Sequence, residues 1–330
     1  MTTSLDYTEA AMAEVNNDDL GGSPGFSIRE STDLDHYRAQ PGSWTVDVTQ
    51  LSKGSFGSRI RSIELPGLIA YHNQWDCSAL IHGQSPDDWL MIGSVIDSDR
   101  AAVTWCGQRK DRRNYAATGP CQEIEFNVEP QASNVVVLME PSLLARTVGG
   151  QAVDTLLGTK HVDFGSAGSR LIDIVMNMLA AAEAQPELLD RTAIVSRAVS
   201  TLMRGVEDCF SSLNVSMPEE QTRSRGDVVH KAILHVHASG DATSALEMAQ
   251  AVGVSQKTLE LAFREVMNTT PGKYLVLTRL NHAHHALAYA DKTSTSVTDV
   301  AMSLGFSHMG RFAGAYKQLF GELPSETLER

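Results

Sequence analysis

Ala245-Leu246-Glu247-Met248-Ala249-x3-Gly253-Val254-Ser255-x3-Leu259-x3-Phe263-Arg264, closed by Pro271, is answered further along by Val297-Thr298-Asp299-Val300-Ala301-x3-Gly305-Phe306-Ser307-x4-Phe312-x3-Tyr316-Lys317, closed by Pro324. The stretches align at an offset of 52 residues before the turn and 53 after it, so the second copy has one extra residue where its second helix starts. The shared letters have physical meaning. Alanine allows two helices to cross closely, glycine adopts positive φ at the turn, and serine caps the helix that follows. Each copy therefore predicts two short helices joined by a tight turn, a helix-turn-helix, with the first at 244–268 and the second at 296–321.

Between the copies runs Pro271-Gly272-Lys273-Tyr274-Leu275-x3-Arg279-Leu280-x2-Ala283-x3-Leu287, and the second copy ends in Phe320-Gly321-Glu322-Leu323-Pro324. With the two repeats, these residues resemble the AraC/XylS family of bacterial transcription regulators over the last third of the chain. The resemblance implies two helix-turn-helix units joined by one connecting helix. A connecting helix over 272–290 spans about 28 Å. That suits two major-groove segments one turn of B-DNA apart, roughly 34 Å.

The positions that face bases in the family fall here on Gln256, Lys257 and Glu260 in the first copy and on His308, Met309 and Arg311 in the second. Arginine forks onto guanine, glutamine pairs with adenine, and glutamate accepts from cytosine N4. Ser255, Arg264, Ser307 and Lys317 occupy phosphate-facing positions. Leu261 and Gly314 depart from the family pattern, standing where relatives often carry a polar base-reading side chain.

The chain's 330 residues provide for more than a DNA reader. Residues 225–330 carry 10 Lys+Arg against 10 Asp+Glu, so the whole net charge of −13 lies upstream. A neutral reader beside an acidic partner domain implies modest nonspecific affinity for DNA. The same 225–330 segment holds 7 of the 11 histidines, a titratable reserve of charge near neutrality. No apolar run has the length of a membrane span, and Met1–Leu20 lacks a basic region followed by a hydrophobic core, so the reading is of a cytoplasmic protein. Cys77, Cys106, Cys121 and Cys209 show no short paired spacing and read as reduced, mainly buried thiols.

Upstream, residues 1–25 read as disordered. From Trp44 the pattern becomes short alternating runs, including Val46 and Val48, Leu90–Ile96, Ala101–Cys106, and Ile124, Phe126 and Val128. Breaks at short intervals by glycine, proline or aspartate predict an antiparallel barrel or sandwich. Two amphipathic helices follow, one on Leu171, Ile174, Val175, Met178 and Leu179 and one on Val195, Val199, Leu202 and Val206. The expected fold is α+β. Residues 26–210 form a cupin-like effector-binding barrel with a helical dimerisation element, 211–226 a linker, and 227–330 an all-α reader with two helix-turn-helix units. The cupin-like assignment is what the family resemblance implies.

Trp44, Tyr71, His72, Trp75, Trp89 and Trp105 are the candidate pocket residues, chosen on composition. A rival reading is a metal-dependent cupin enzyme fused to a DNA reader. His36, His72, His82 and His161 lack the His-x-His pair of such sites, while His235-x-His237 and His282-x-His284 are in helical context, where i and i+2 point to different faces. No metal or other cofactor is expected, and no Gly-rich phosphate loop or nucleophile elbow is present. A second rival, an interaction protein that has lost DNA binding, rests on Leu261, Gly314 and the missing basic excess. The favoured reading is a homodimeric, ligand-responsive activator of a catabolic operon. It is not an enzyme, and its partners are operator DNA, RNA polymerase and a small-molecule effector.

Overall fold

The structure is a computed structural model and describes residues 24–32, 44–96, 103–110, 114–157, 161–213, 224–239 and 243–330. The strands are β1 Gly25–Ser31, β2 Thr45–Gln50, β3 Ser58–Leu65, β4 Leu68–Trp75, β5 Ala79–Gln84, β6 Leu90–Val95, β7 Val103–Trp105, β8 Gln108–Arg109, β9 Asn114–Thr118, β10 Glu123–Val128, β11 Ser133–Met139 and, after two helices, β12 His161–Asp163. Helices α1 Pro141–Val148 and α2 Gly150–Leu157 precede β12, and α3 Gly165–Ala184 and α4 Thr192–Ser211 follow it. The C-terminal part comprises α5 Arg225–Ser239, α6 Ala245–Ala251, α7 Gln256–Met267, α8 Pro271–Ala288, α9 Val297–Ser303, α10 Met309–Phe320 and α11 Pro324–Glu329. This is the expected mixed fold, with antiparallel sheets first and helices last.

The stretch expected to be disordered, 1–25, lies outside the described residues except for Pro24 and Gly25, and Gly25 already opens β1. Of the expected linker, 214–223 lie outside them, Ser211 ends α4 and Arg225 starts α5. Ala101 and Ala102 are also outside, and the part of the Ala101–Cys106 run that is described forms a strand from Val103.

The strands form a seven-stranded sheet in the order β1-β3-β4-β11-β6-β9-β12 and a five-stranded sheet in the order β2-β5-β10-β7-β8. The large sheet is apolar on both faces. Ile63, Ala70, Ile92, Tyr115 and Val137 pack against α3 and α4, while Ile60, Tyr71, Met91, Ala116 and Val136 face the small sheet. Burial on both sides explains why Leu90–Ile92 of β6 and Val135–Met139 of β11 are apolar without alternation. The predicted stripes of α3 and α4 are those that pack: Leu171, Val175 and Leu179 meet Val195, Val199, Leu202 and Val206.

The small sheet separates two environments by strand alternation alone. Register places Val48, Ile81, Phe126 and Trp105 in one cross-strand row, and this row faces the large sheet. The adjacent row, Asp47, His82 and Glu125, points the other way, toward α5. Leu80 on that outer face joins the core made by α5, α6 and α7. The molecule is thus layered as α3 and α4, large sheet, small sheet, reader.

Candidate nucleic-acid interface

The two repeats fold as duplicate units with duplicate local chemistry. Ser244 caps α6, accepting from Glu247 N at 3.2 Å while its own N–H donates to Glu247 Oε2 at 2.7 Å. Ser296 caps α9 with the same hydroxyl bond, accepting from Asp299 N at 3.1 Å. Acids at these helix starts also meet the positive end of the helix dipole. The turn glycines take the left-handed backbone that their position needs, φ 67° at Gly253 and φ 81° at Gly305. Ala249 and Ala301 are buried at the helix crossings, 2% and 0% exposed.

The second helices diverge at their starts. Ser255 caps α7 by accepting from Thr258 N at 3.1 Å. Ser307, expected to do the same for α10, does not: the capping position is His308, which makes no side-chain cap bond. The extra residue of the second copy moves the serine one place outside the helix. Left-handed residues end both reading helices, Asn268 with φ 49° and Gly321 with φ 83°. The connecting helix α8 runs over Pro271–Ala288, 18 residues, so it starts one residue earlier and ends two earlier than the spacing had indicated. Thr270 caps it, and Pro271 takes the first turn.

On α7, Leu259, Ala262, Phe263 and Met267 are buried, whereas Gln256, Lys257, Glu260, Leu261 and Arg264 are exposed. Glu260 and Arg264 hold each other at 2.7 Å across one helical turn. On α10, Phe312, Tyr316, Leu319 and Phe320 are buried, and Arg311, Gly314 and Lys317 are exposed, with His308 exposed at the capping position. Met309, expected to face bases, is half-buried and packs against the core of the second unit. The Arg279 guanidinium lies 5.8 Å over the ring of Phe306, tying the connecting helix to the turn of the second unit.

The small sheet meets the reader through α5, α8 and the end of α10, and these contacts are specific. Gln50 ends β2 at the open edge of the small sheet and is 1% exposed. Its N–H donates to Asn281 Oδ1 of α8 at 2.8 Å, and Asn281 Nδ2 donates back to Gln50 O at 3.0 Å. The asparagine side chain thus pairs with the strand edge as a neighbouring strand would. Gln50 Nε2 and Gly54 N both donate to Leu319 O near the end of α10, at 2.9 and 3.0 Å. On the sheet's outer face His230 Nδ1 lies 2.7 Å from Glu125 Oε2, and His82 stacks on His237 with ring centroids 4.0 Å apart. Burial, with His82 nearby, holds the His237 imidazole well below its ordinary value, at about 4. His237 therefore stays neutral near pH 7, and the charge available to the seven reader histidines is smaller than their number suggests.

Between the sheets lies a cavity lined by Trp44, Tyr71, Met91, Trp105, Phe126 and Val136, with polar atoms from Asn73, Ser94 and Asn134 and the buried Lys110. Three of the six candidate pocket residues, Trp44, Tyr71 and Trp105, are on its wall. The other three are elsewhere. Trp75 fills the core edge-on to Phe56 and Phe126, at 6.2 and 6.1 Å. Trp89 is half-buried against the same core. His72 is hydrogen-bonded to Arg61 at 2.9 Å and Ser133 at 2.7 Å, and burial beside Arg61 and Arg59 brings its pKa down to about 4. Lys110, which composition did not single out, donates to Tyr115 O at 3.2 Å and meets His161 Nδ1 at 2.6 Å. The Trp105 indole N–H is buried on the wall with no acceptor among the described residues. Among the described residues, no three His, Cys, Asp or Glu side chains come together as a metal site. Cys77, Cys106 and Cys209 are buried thiols, and burial pushes Cys77 up to about 11 and Cys209 up to about 12.

Residues 248–330 match a family described as "Helix-turn-helix domain". Beyond that segment, the chain is 31% identical over 245 residues to the probable thc operon regulatory protein of Rhodococcus erythropolis, covering 71% of this chain and 69% of that protein. The chain belongs to the AraC/XylS family of transcription regulators. A shorter match joins the regulator to XylDLEGF operon transcriptional activator 2 of Pseudomonas putida, 37% identical over 82 residues, 25% of this chain and 52% of that one. Among solved structures, the AraC-like transcriptional activator CuxR aligns over 79% of this chain and 96% of its own at 18% identity, with a TM-score of 0.43. The regulator binds DNA through its two helix-turn-helix units, and no helix among the described residues is long and apolar enough to cross a membrane.

Proposed function

We propose that this regulator is an operon activator whose affinity for its operator is set by a small molecule held between the two sheets. The small sheet carries the reading, because its two faces serve two tasks one residue apart. Phe126 and Trp105 line the cavity, and the neighbouring outward positions Glu125 and Thr104 are on the face turned from it. A guest that moves the inner row by a fraction of an ångström moves the outer row with it, and Glu125, His82 and Gln50 touch the reader directly. The aromatic lining suits a mainly apolar, flat guest, and the Trp105 N–H, without an acceptor among the described residues, suits one acceptor on it.

DNA is held by Gln256, Lys257, Glu260, His308 and Arg311 toward bases and by Ser255, Arg264, Ser307 and Lys317 toward phosphates. Two subunits pair through the exposed sides of α3 and α4, and RNA polymerase is the partner of the bound dimer. The activator role follows the names of operon activators among the relatives. A thermal-shift screen of the full chain against small aromatic metabolites, followed by operator titration with each hit, tests the reading. A hit raises the melting temperature and changes operator affinity together. Hits that stabilise the protein and leave DNA affinity unchanged at saturation would refute the coupling.

A further inference from the structure

Leu261 is 46% exposed in the middle of α7, on the side of the helix opposite the buried Leu259, Ala262 and Phe263. Lys257, Leu261 and Arg264 follow one another at spacings of four and three, which makes them one outward row along the helix. Each is exposed, so the row is a cation, an apolar branch and a second cation facing away from the protein. An isolated exposed leucine is ordinary. Its position between two cations on a major-groove reading helix is what gives this one a partner.

We propose that Leu261 is a specificity-determining residue that selects a thymine by its C5 methyl group. The argument is chemical. A leucine side chain offers no donor and no acceptor, and the thymine methyl is the one apolar group on the major-groove edges of the bases. Lys257 one turn before it and Arg264 one turn after it, which also holds Glu260, match the phosphates that border a groove, whereas an apolar protein surface would leave Lys257 without counter-charge from the partner. The second unit has no equivalent. At the matching position of α10 stands Gly314, where an added Cβ would meet nothing within 4 Å. Thymine selection of this kind therefore belongs to the groove segment read by the first unit alone.

The inference rests on α7 being a reading helix, as proposed above. The test uses the full chain and a random-sequence double-stranded DNA library. After selection, each dT of the enriched duplex is replaced singly by deoxyuridine, which removes a methyl group and nothing else. Wild type is expected to bind about fourfold more weakly at one or two such positions per subunit, the worth of one buried methyl, with all of them in the groove segment read by the first unit. Leu261→Ala is expected to bind the dT and dU duplexes equally at those positions; because the side chain is exposed, the core is untouched by its removal. Deoxyuridine without effect at every position overturns the proposal, and so does a dU penalty that survives in Leu261→Ala or falls equally in the two groove segments read by one subunit. A Leu261→Ala protein that loses reporter transcription at unchanged duplex affinity places a protein partner at Leu261 and also overturns it. Selection that enriches no sequence removes the reading-helix assignment itself, which distinguishes that failure from the others.

Discussion

Arg311 and Lys317 are both exposed on α10, yet their chemistry assigns them different tasks. Arg311 is in the first turn, where the helix enters a groove, and its guanidinium forks; Lys317 is in the last turn and is a point charge. Arg311→Ala is expected to cost about 1 to 3 kcal/mol on the selected site and to relax preference at one base position. Lys317→Ala should weaken all duplexes alike and reduce the salt slope by about one phosphate contact. Titrations of both variants at several salt concentrations measure this, and a base preference lost with Lys317 but kept without Arg311 would reverse the assignment. Single residues of the reader were legible in the sequence because the duplication carried them: Gly253 and Gly305, Ala249 and Ala301, and the cap Ser255 all do what repetition implied. Ser307 shows the limit. One inserted residue moved it out of the capping position, and spacing relative to the turn could not show which residue would begin the helix.

Asn281 acts at the scale of elements, by joining a helix to a sheet. It is 5% exposed on α8 and hydrogen-bonded to both backbone groups of Gln50 and to Leu277 O. An edge strand left open exposes unpaired backbone groups, and here one side chain closes the last pair of them. Asn281→Ala strips a buried N–H of its acceptor, which costs about 1 to 3 kcal/mol. The variant is expected to keep both helix-turn-helix units, because Tyr274, Leu280 and Leu287 of α8 still pack. What it should lose is most of the effect of a bound cavity ligand on operator affinity. Ligand-dependent operator titration on the variant decides this; full coupling in Asn281→Ala would assign transmission to the His230–Glu125 contact instead. Nothing in the sequence distinguished Asn281 from any polar residue on a helix, because its partner is 231 residues away and is a backbone. The pocket was half legible for a related reason: aromatic composition nominates large side chains, but Trp105 and Trp75 both point between the sheets, and only their places along the strands separate Trp105, which lines the cavity, from Trp75, which fills core.

At the scale of the whole molecule, two buried imidazoles make stability depend on pH. His72 is hydrogen-bonded within the large sheet, and His237 lies between the small sheet and α5 with its ring on His82; both titrate at about 4 in the folded chain. An unfolded chain protonates each near pH 6.5. Between those values the unfolded state binds the proton and the folded state does not, so these two groups leave stability undiminished above about pH 6.5, lower it as acid is added toward pH 4, and add no further loss below that. The fall amounts to at most about 3 kcal/mol for each histidine. Around His237 the neighbouring groups pull in both directions: His82 and His282 hold its pKa down, while Asp47 raises it. His237→Phe keeps a ring against His82 and removes one titrating group, so its urea-unfolding midpoint should fall less steeply than wild type's between pH 6.5 and 4.5. An equal slope in the two proteins would mean that His237 titrates alike in folded and unfolded chains. A steep wild-type slope with a flat variant would place the acid sensitivity at the contact between sheet and reader, where loss of docking would also release α8 from Gln50 and uncouple operator binding from the cavity under mildly acidic conditions.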